Sequence, residues 1–539
     1  MKKLILTIFI GIFVSLQIFA KPITIEDAKK VAKNFLYENE SITQNDLKFS
    51  DAIIFKEQSN LFYIFNFKNR TGFIIISATD NYTPIIAYST ESYYDKEKQA
   101  PQFVELMKDY AKQVEFTIKQ DIKANETVKP QWEKYNCSPQ NFKPNKDTKS
   151  VSALLDPIAW DQGSGWNGQC PLASGGPGGH AYAGCVATAQ GQAMKYWEHP
   201  PRGIGSHSYW ENDNGILTVD FMNETYNWAS MPDAYSSYET AKLLYHCGVS
   251  VDMNYEADGS GAYTYNCVTS LESYFRYKQT AEYVEKANYT DAQWMSLLKN
   301  ELDNSRVMIY SGHSTSGGHA FNCDGYNNSD YFHFNFGWNG YDNGYYSLSY
   351  VNGFNEDQGA VIGIEPDYNY IPENLTATVN SNDVTLDWEI LASSNKDLTG
   401  FYIFRDDVQI GDLIPAGTFT YTDSDLDNGS YSYCVKAVYG TDVTDCSNSE
   451  SVNINYTGIT NNSAKIKIFP NPASDYIKIS LSQTQKYELQ VIDVCGKTLI
   501  NKTGTDNKLT VNVSKFAKGI YIINVTVDNT TVTKKIILE

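Results

Sequence analysis

The sequence predicts an α+β chain closed by two all-β sandwich domains. Three observations carry that prediction. Helix-period apolar spacing and short apolar strand runs interleave up to about residue 366, and beyond residue 371 only short alternating strands between turn residues remain. At roughly 150 residues per domain, a chain of 539 residues holds three or four folded units. With 42% hydrophobic and 20% charged residues, 14% of the chain being aromatic, enough apolar surface is available to offset ordering entropy, which excludes wholesale disorder.

Charge narrows the function classes. A net charge of −20 excludes a nucleic-acid binder, whose affinity needs clustered Lys and Arg on phosphates. Residues 151–366 hold 8 basic and 24 acidic side chains, whereas residues 465–539 hold 11 lysines and 6 acids, a swing that marks separate modules. The nine cysteines are odd in number and form no CxxC pair, so at least one thiol is expected to be free. No HExxH or zinc-spaced Cys/His cluster occurs among the seven histidines, and neither a metal nor another cofactor is expected.

In chain order, Lys2 and Lys3 precede an apolar run from Leu4 to Leu16, and Ala20 stands before Lys21-Pro22. This reads as a cleavable secretory signal over residues 1–20. The run is shorter than the about 20 residues that span a bilayer, and no later segment is long enough, so the mature chain has no expected membrane span. Thr24 then caps a helix whose apolar positions Ala28, Val31, Ala32 and Phe35 follow i, i+3, i+4, i+7. Strand runs such as Phe62–Phe65 and Phe73–Ile76 come next, followed by helical spacing from Phe103 to Lys119. Residues 21–148 are therefore read as a small α+β unit, ending in the polar, protease-accessible stretch Lys143–Ser150. Residues 149–367, dense in Gly, Asn, Tyr and Trp, form the expected functional domain.

Within that domain, Cys185 follows a glycine-rich loop (Gly175–Gly179) and opens a segment whose Val186, Ala189, Ala193 and Trp197 share a helical face. A thiol at a helix N-terminus faces unsatisfied N–H groups and the positive dipole end, which favour thiolate and lower its pKa. Downstream, Gly317-Gly318-His319-Ala320-Phe321 reads as the start of a strand, and Tyr331–Asn335 as its neighbour, from which Asn335 is expected to reach the ring of His319. Cys, then His, then Asn is a thiol-protease order.

These segments together resemble the streptopain family of secreted bacterial cysteine peptidases: Gly184-Cys185-Val186-Ala187-Thr188-Ala189 with Met194-Lys195-Tyr196, then Gly318-His319-Ala320-Phe321, then Asn335 to Trp338. The resemblance implies a papain-like catalytic domain in which Cys185 is the nucleophile, His319 the general base and Asn335 the orienter of the imidazole. Trp338 would shield that contact, and Gln162 would offer a side-chain amide to the oxyanion. It also makes residues 21–148 an inhibitory propeptide, with processing expected within 143–151. Two departures stand out: Phe336 occupies a place where streptopain has Trp, and His180, five residues before Cys185, is a competing base on a flexible loop.

Residues 368–457 resemble a fibronectin type III sandwich through Trp388 and the run from Leu426 to Tyr431, with Cys434 and Cys446 on its last two strands, where a bridge between them is open. Asp423, Asp425 and Asp427 mimic the opening of an EF-hand loop, but the glycine falls one position late and Cys434 replaces the bidentate Glu, so calcium is rejected. Residues 465–539, with Ile468-Phe469-Pro470-Asn471-Pro472-Ala473, then Gly519-Ile520-Tyr521 and a Lys-rich terminal strand, resemble the C-terminal sorting domain of type IX secretion cargo. The expected protein is a secreted or cell-surface cysteine endopeptidase made as a zymogen, with protein substrates, its own propeptide and the type IX machinery as partners. A Cys/His amidase acting on cell-wall peptides, or a surface adhesin with an inert cysteine, are the alternatives.

Overall fold

The computed structural model describes residues 22–40, 42–145, 149–314, 317–348, 358–391, 398–455, 466–527 and 530–539. The expected signal segment, 1–20, and the middle of the expected processing stretch, 146–148, lie outside the described residues. The chain divides into two compact units, one running to Tyr370 and the other from Ile371 onward.

In the first unit the Thr24 hydroxyl accepts the Asp27 amide at 3.1 Å and starts α1 (Ile25–Asn39). Ala28, Val31, Ala32 and Phe35 are fully buried, as their spacing requires. Strands β1 (Ile53–Lys56), β2 (Asn60–Asn66), β3 (Phe73–Ser77) and β4 (Ile85–Ser89) follow, then α2 (Pro101–Lys119) and α3 (Val128–Tyr135). After these come α4 (Cys185–Trp197), the hairpin β5 (His207–Glu211) and β6 (Gly215–Val219), α5 (Tyr238–Ser250), α6 (Asn266–Tyr274), β7 (Glu282–Glu285) and α7 (Asp291–Asp303). The unit ends with β8 (Met308–Ser314), β9 (Gly317–Tyr326), β10 (Tyr331–Asn335), β11 (Gly344–Ser347) and β12 (Gly359–Ile362).

The N-terminal strands do not form a sheet of their own. One ten-stranded sheet runs β1-β2-β3-β4-β11-β10-β9-β8-β12-β7. The seam pairs Tyr88 with Tyr345 and Ala87 with Tyr346. Tyr88 stacks on Tyr345 at 5.0 Å between centroids, and Phe35 of α1 meets both Tyr88 and Tyr331 edge-on. Successive strand residues point to opposite faces: Ile309 joins the core under α4 and α5, while Met308 and Tyr310 join the one shared by α2 and α7. The helix led by Cys185 is buried from Val186 to Lys195, so its first residue is placed by packing on all sides.

In the second unit, strands 373–380, 383–389 and 420–423 form one sheet, and strands 398–405, 408–415, 429–439, 442–443 and 450–454 another, around Trp388, Phe401 and Tyr433. The Tyr431 hydroxyl donates to the Asp427 carbonyl at 3.0 Å, and Cys434 is bonded to Cys446. The terminal strands enclose a core of their own around Ile477, Leu489 and Val525. All five are hydrogen-bonded into one sheet, because the 18-residue strand Tyr476–Asp493 pairs with 466–469 along its first part and with 519–527 along its second.

Candidate active site

Gly184 adopts φ +91°, and a Cβ there would fall 2.6 Å from Met253 Cε and 3.2 Å from the Ser260 carbonyl oxygen. Only glycine meets both demands, the left-handed backbone and the close approach. It turns the chain so that Cys185 becomes the first residue of α4. The Cys185 sulfur accepts the amide of Ala320 at 3.5 Å, which sets the thiol against β9 one residue beyond His319.

The expected depression of the thiol pKa is not what this structure holds. Burial pushes the Cys185 thiol above its ordinary 9.0, and the N–H groups of Ala320, Val186 and Cys185 offset this only in part. Helix-terminal donors favour the thiolate, but they act against a desolvation that the sequence did not reveal.

A cavity of about 1180 Å³ opens at the thiol, and Cys185, His319, Gln162 and Trp338 all line it. Gln162 is buried, and its backbone is fixed twice: Asp161 Oδ1 accepts the Gln162 and Gly163 amides at 2.6 and 2.8 Å, and the Gln162 carbonyl accepts the Ala183 amide at 3.0 Å. Its side-chain nitrogen has no hydrogen-bond partner among the described residues. A buried N–H left unmade costs about 1–3 kcal/mol, so an orphan at the mouth of a cleft is a donor held ready for an acceptor that arrives from outside. Trp338 packs on Tyr182 at 6.0 Å, and its indole nitrogen is likewise buried without a partner.

Asn335 ends β10 and is buried. Its amide nitrogen donates to the Ile158 carbonyl at 2.7 Å, and its oxygen accepts Gln192 Nε2 at 2.9 Å and the Gly337 amide at 3.1 Å. Those bonds brace β10 against α4 and occupy both polar atoms of the side chain, so Asn335 does not reach the His319 ring as expected from the sequence and does not line the cavity. His180 turns its Nδ1 to the Cys170 carbonyl at 2.7 Å and does not line the cavity. Burial lowers His199 and His246 to about 4 and about 3; both are neutral packing residues.

Sequence reasoning missed the part played by the N-terminal segment. Gln99, Pro101 and Gln102 line the same cavity. The Gln102 side-chain nitrogen donates to the carbonyls of Ala320 and Phe336 at 3.4 and 3.3 Å, bridging β9 and the chain just past β10. The Ala100 amide donates to Asp342 Oδ2 at 2.8 Å. Pro101 at the start of a helical run was a readable signal; the partners of its neighbours, more than 200 residues away, were not.

A thiol leading a buried helix, a histidine on the adjacent strand, an orphan amide in the same cleft and an N-terminal segment that lines it define a cysteine-peptidase domain joined to an inhibitor-like prosegment. Residues 160–346 match the peptidase C10 family, residues 20–114 the Spi protease inhibitor, and residues 467–539 the secretion system C-terminal sorting domain. The chain thus carries a peptidase C10 domain together with an inhibitor-type prodomain and a secretion sorting domain. It is 31% identical over 404 residues to the thiol protease/hemagglutinin PrtT of Porphyromonas gingivalis, covering 69% of this chain and 45% of that one. The chain thus spans less than half the length of that relative. Streptopain of Streptococcus pyogenes is 27% identical over 381 residues, 63% of this chain and 91% of its own. The Prevotella intermedia prointerpain A fragment aligns with 59% of this chain and 100% of its own at 32% identity and a TM-score of 0.49. The sorting domain indicates secretion or cell-surface export.

Proposed function

We propose that this protein is a cysteine endopeptidase zymogen of papain-like arrangement, exported through its C-terminal domain, that hydrolyses extracellular proteins. The observation that carries the reading is the convergence of Cys185, His319 and the unpartnered Gln162 amide on one cavity. The Cys185 thiolate attacks the peptide carbonyl carbon, with His319 holding the proton that the thiol gave up. The oxyanion forms between the Gln162 side-chain N–H and the Cys185 backbone N–H. His319 then protonates the departing amine, leaving an acyl-enzyme that a water, deprotonated by the same imidazole, hydrolyses. Trp338 shields the imidazole from water, and Asn335 takes up its orienting role only in an active form in which its side chain exchanges the bond to Ile158 for one to His319.

In the described form the thiol is held protonated by burial, with Gln102 and its neighbours over the cleft. Both features support latency. We place the propeptide at 21–148, the catalytic domain at 149–367, the fibronectin-like sandwich at 368–457 and the sorting domain at 465–539, after a signal peptide at 1–20. Activation cuts within 143–151.

The test incubates the chain from residue 21 onward, wild type beside Cys185→Ser, with casein under reducing conditions, with and without a papain-type epoxide inhibitor. Wild type is expected to shorten itself within 143–151, as read by N-terminal sequencing, and to digest casein, while the variant does neither. Identical behaviour of the two proteins would end the peptidase reading.

A further inference from the structure

The cavity extends beyond the reacting atoms along the loop that follows α5. That loop is built, not draped: Asn254 and Gly261 exchange backbone hydrogen bonds at 2.9 and 3.0 Å, and the Asn266 side chain donates to the Val251 carbonyl at 3.0 Å. Its Ser260 carbonyl abuts the glycine that precedes Cys185. From this base the loop presents Tyr263 and Tyr265, stacked at 5.2 Å with 16° between planes yet 65% and 51% exposed. Tyr283 stands edge-on to Tyr265 at 6.2 Å, and all three rings line the cavity. Two stacked rings bury part of each other; this much remaining exposure on a fixed loop leaves ring faces for an incoming group.

An aromatic wall by itself suits an apolar side chain, and the charges decide otherwise. Among the described residues, the acids and bases with formal charge around the cavity apart from His319 are Asp252, Asp258 and Glu285, and no described Lys or Arg lines it. Asp252 is paired with His207 at 2.7 Å. Asp258 and Glu285 are exposed and carry no ion pair among the described residues. Ring faces are the negative part of the aromatic quadrupole and attract cations, and carboxylates of one sign in a cleft focus that attraction.

Taking the cavity to be the peptide cleft, as proposed above, we infer that it selects a substrate carrying a Lys or Arg side chain, received by the Tyr263–Tyr265 wall with Glu285 and Asp258 as countercharges. Selection by these groups acts on one substrate position and is separate from the bond-breaking machinery.

The self-processed protein, its active sites counted with an epoxide inhibitor, is assayed on fluorogenic peptides in which one position at a time carries Arg or citrulline, its neutral near-isostere. At one position kcat/KM for Arg is expected to exceed that for citrulline by about tenfold at low salt. That ratio should fall towards one as salt rises, in a combined Asp258→Asn, Glu285→Gln variant and in Tyr265→Ala. All three side chains are exposed, so unchanged melting temperatures are expected to accompany the loss. Equal rates for Arg and citrulline at every position, with cleavage that still depends on Cys185, overturn the inference and leave the peptidase reading standing. A preference for Arg that survives in the variants overturns it as well. No cleavage of any peptide by wild type removes both readings.

Discussion

Glu91 Oε1 lies 2.5 Å from His333 Nε2, and the other ring nitrogen lies 2.6 Å from Asp324 Oδ1. A buried imidazole of the catalytic sheet is thus shared between a carboxylate of the neighbouring strand and one supplied by the N-terminal segment, with the Tyr345 ring edge-on at 5.0 Å. Burial alone would discharge the ring. Asp324 first and Glu91 second outweigh it and hold His333 well above its ordinary 6.5. For Glu91 burial pushes up, but the His333 charge and hydrogen bond bring it below 4.5.

The sign of the pH dependence follows from these directions. The lowered Glu91 contributes stability that is fully present above 4.5 and is lost as pH falls through its bound value. The raised His333 contributes stability that is fully present below 6.5 and is lost as pH rises through its bound value. Between those limits the pair contributes most. In a Cys185→Ser background, which the proposed mechanism makes unable to cleave itself, Glu91→Gln should destabilise the protein there by about 1–2 kcal/mol. This is less than the roughly 3–5 kcal/mol for breaking a fully buried pair, because the Glu91 side chain is 39% exposed and screened by solvent. Melting curves from pH 3 to 9 check this, and the gap between the two proteins should close at the acid end.

Gln162→Ala separates a catalytic amide from a structural one. The nitrogen has no partner to lose, so the melting temperature should hold or rise slightly. Loss of one oxyanion donor lowers kcat by about 10²-fold with little change in KM. Steady-state kinetics on one peptide, beside a thermal melt, reads both. A drop in stability with kcat intact would make Gln162 a packing residue.

Thiol reactivity reports the state of Cys185 directly. Because burial raises its pKa and the thiolate is the nucleophile, Cys185 of the unprocessed protein should react with iodoacetamide at pH 7 more slowly than a free cysteine. Its rate should still be climbing at pH 9. His319→Ala keeps the thiol, removes the proposed base and should therefore keep the prosegment attached. Since Cys137 and Cys495 are also accessible, modification must be located by peptide mass spectrometry. Rapid, pH-independent alkylation at Cys185 would show a thiolate already formed.

The parts of this site that were legible in the sequence are local. Thr24 and its apolar period announced α1, the run after Gly184 announced the buried helix, and the Gly317–Tyr326 and Tyr331–Asn335 runs announced β9 and β10, because each is encoded within about ten residues. What was hidden is long-range. The bond from Glu91 to His333 spans 242 residues, and those from Gln102 span 218 and 234; no periodicity marks such partners. The direction of the Cys185 shift was missed for the same reason, since a helix start is written in the sequence and the desolvation of its first residue in the folded domain is not.

Asp342 links pH to the hold of the N-terminal segment. It is fully buried; Oδ2 accepts the Ala100 amide at the head of α2, and Oδ1 has no partner among the described residues. Burial, with a smaller repulsion from Asp95, outweighs the Ala100 bond and raises this carboxyl from 3.8 to about 7. The folded protein therefore keeps a proton that the unfolded chain gives up. Stability present below pH 3.8 declines as pH rises, by about 1.4 kcal/mol per unit, until the folded value near 7 is passed. Asp342→Asn removes the charge while keeping an oxygen for the Ala100 amide. In the Cys185→Ser background it should leave the melting temperature nearly unchanged at pH 4 and raise it by several degrees at pH 8. Self-processing of the Asp342→Asn protein with Cys185 intact should correspondingly slow at pH 8, where the parent's buried carboxylate weakens the grip of α2. A melting-temperature gap that is the same at both pH values would show that Asp342 does not titrate there, and the link between pH and the prosegment would fall with it.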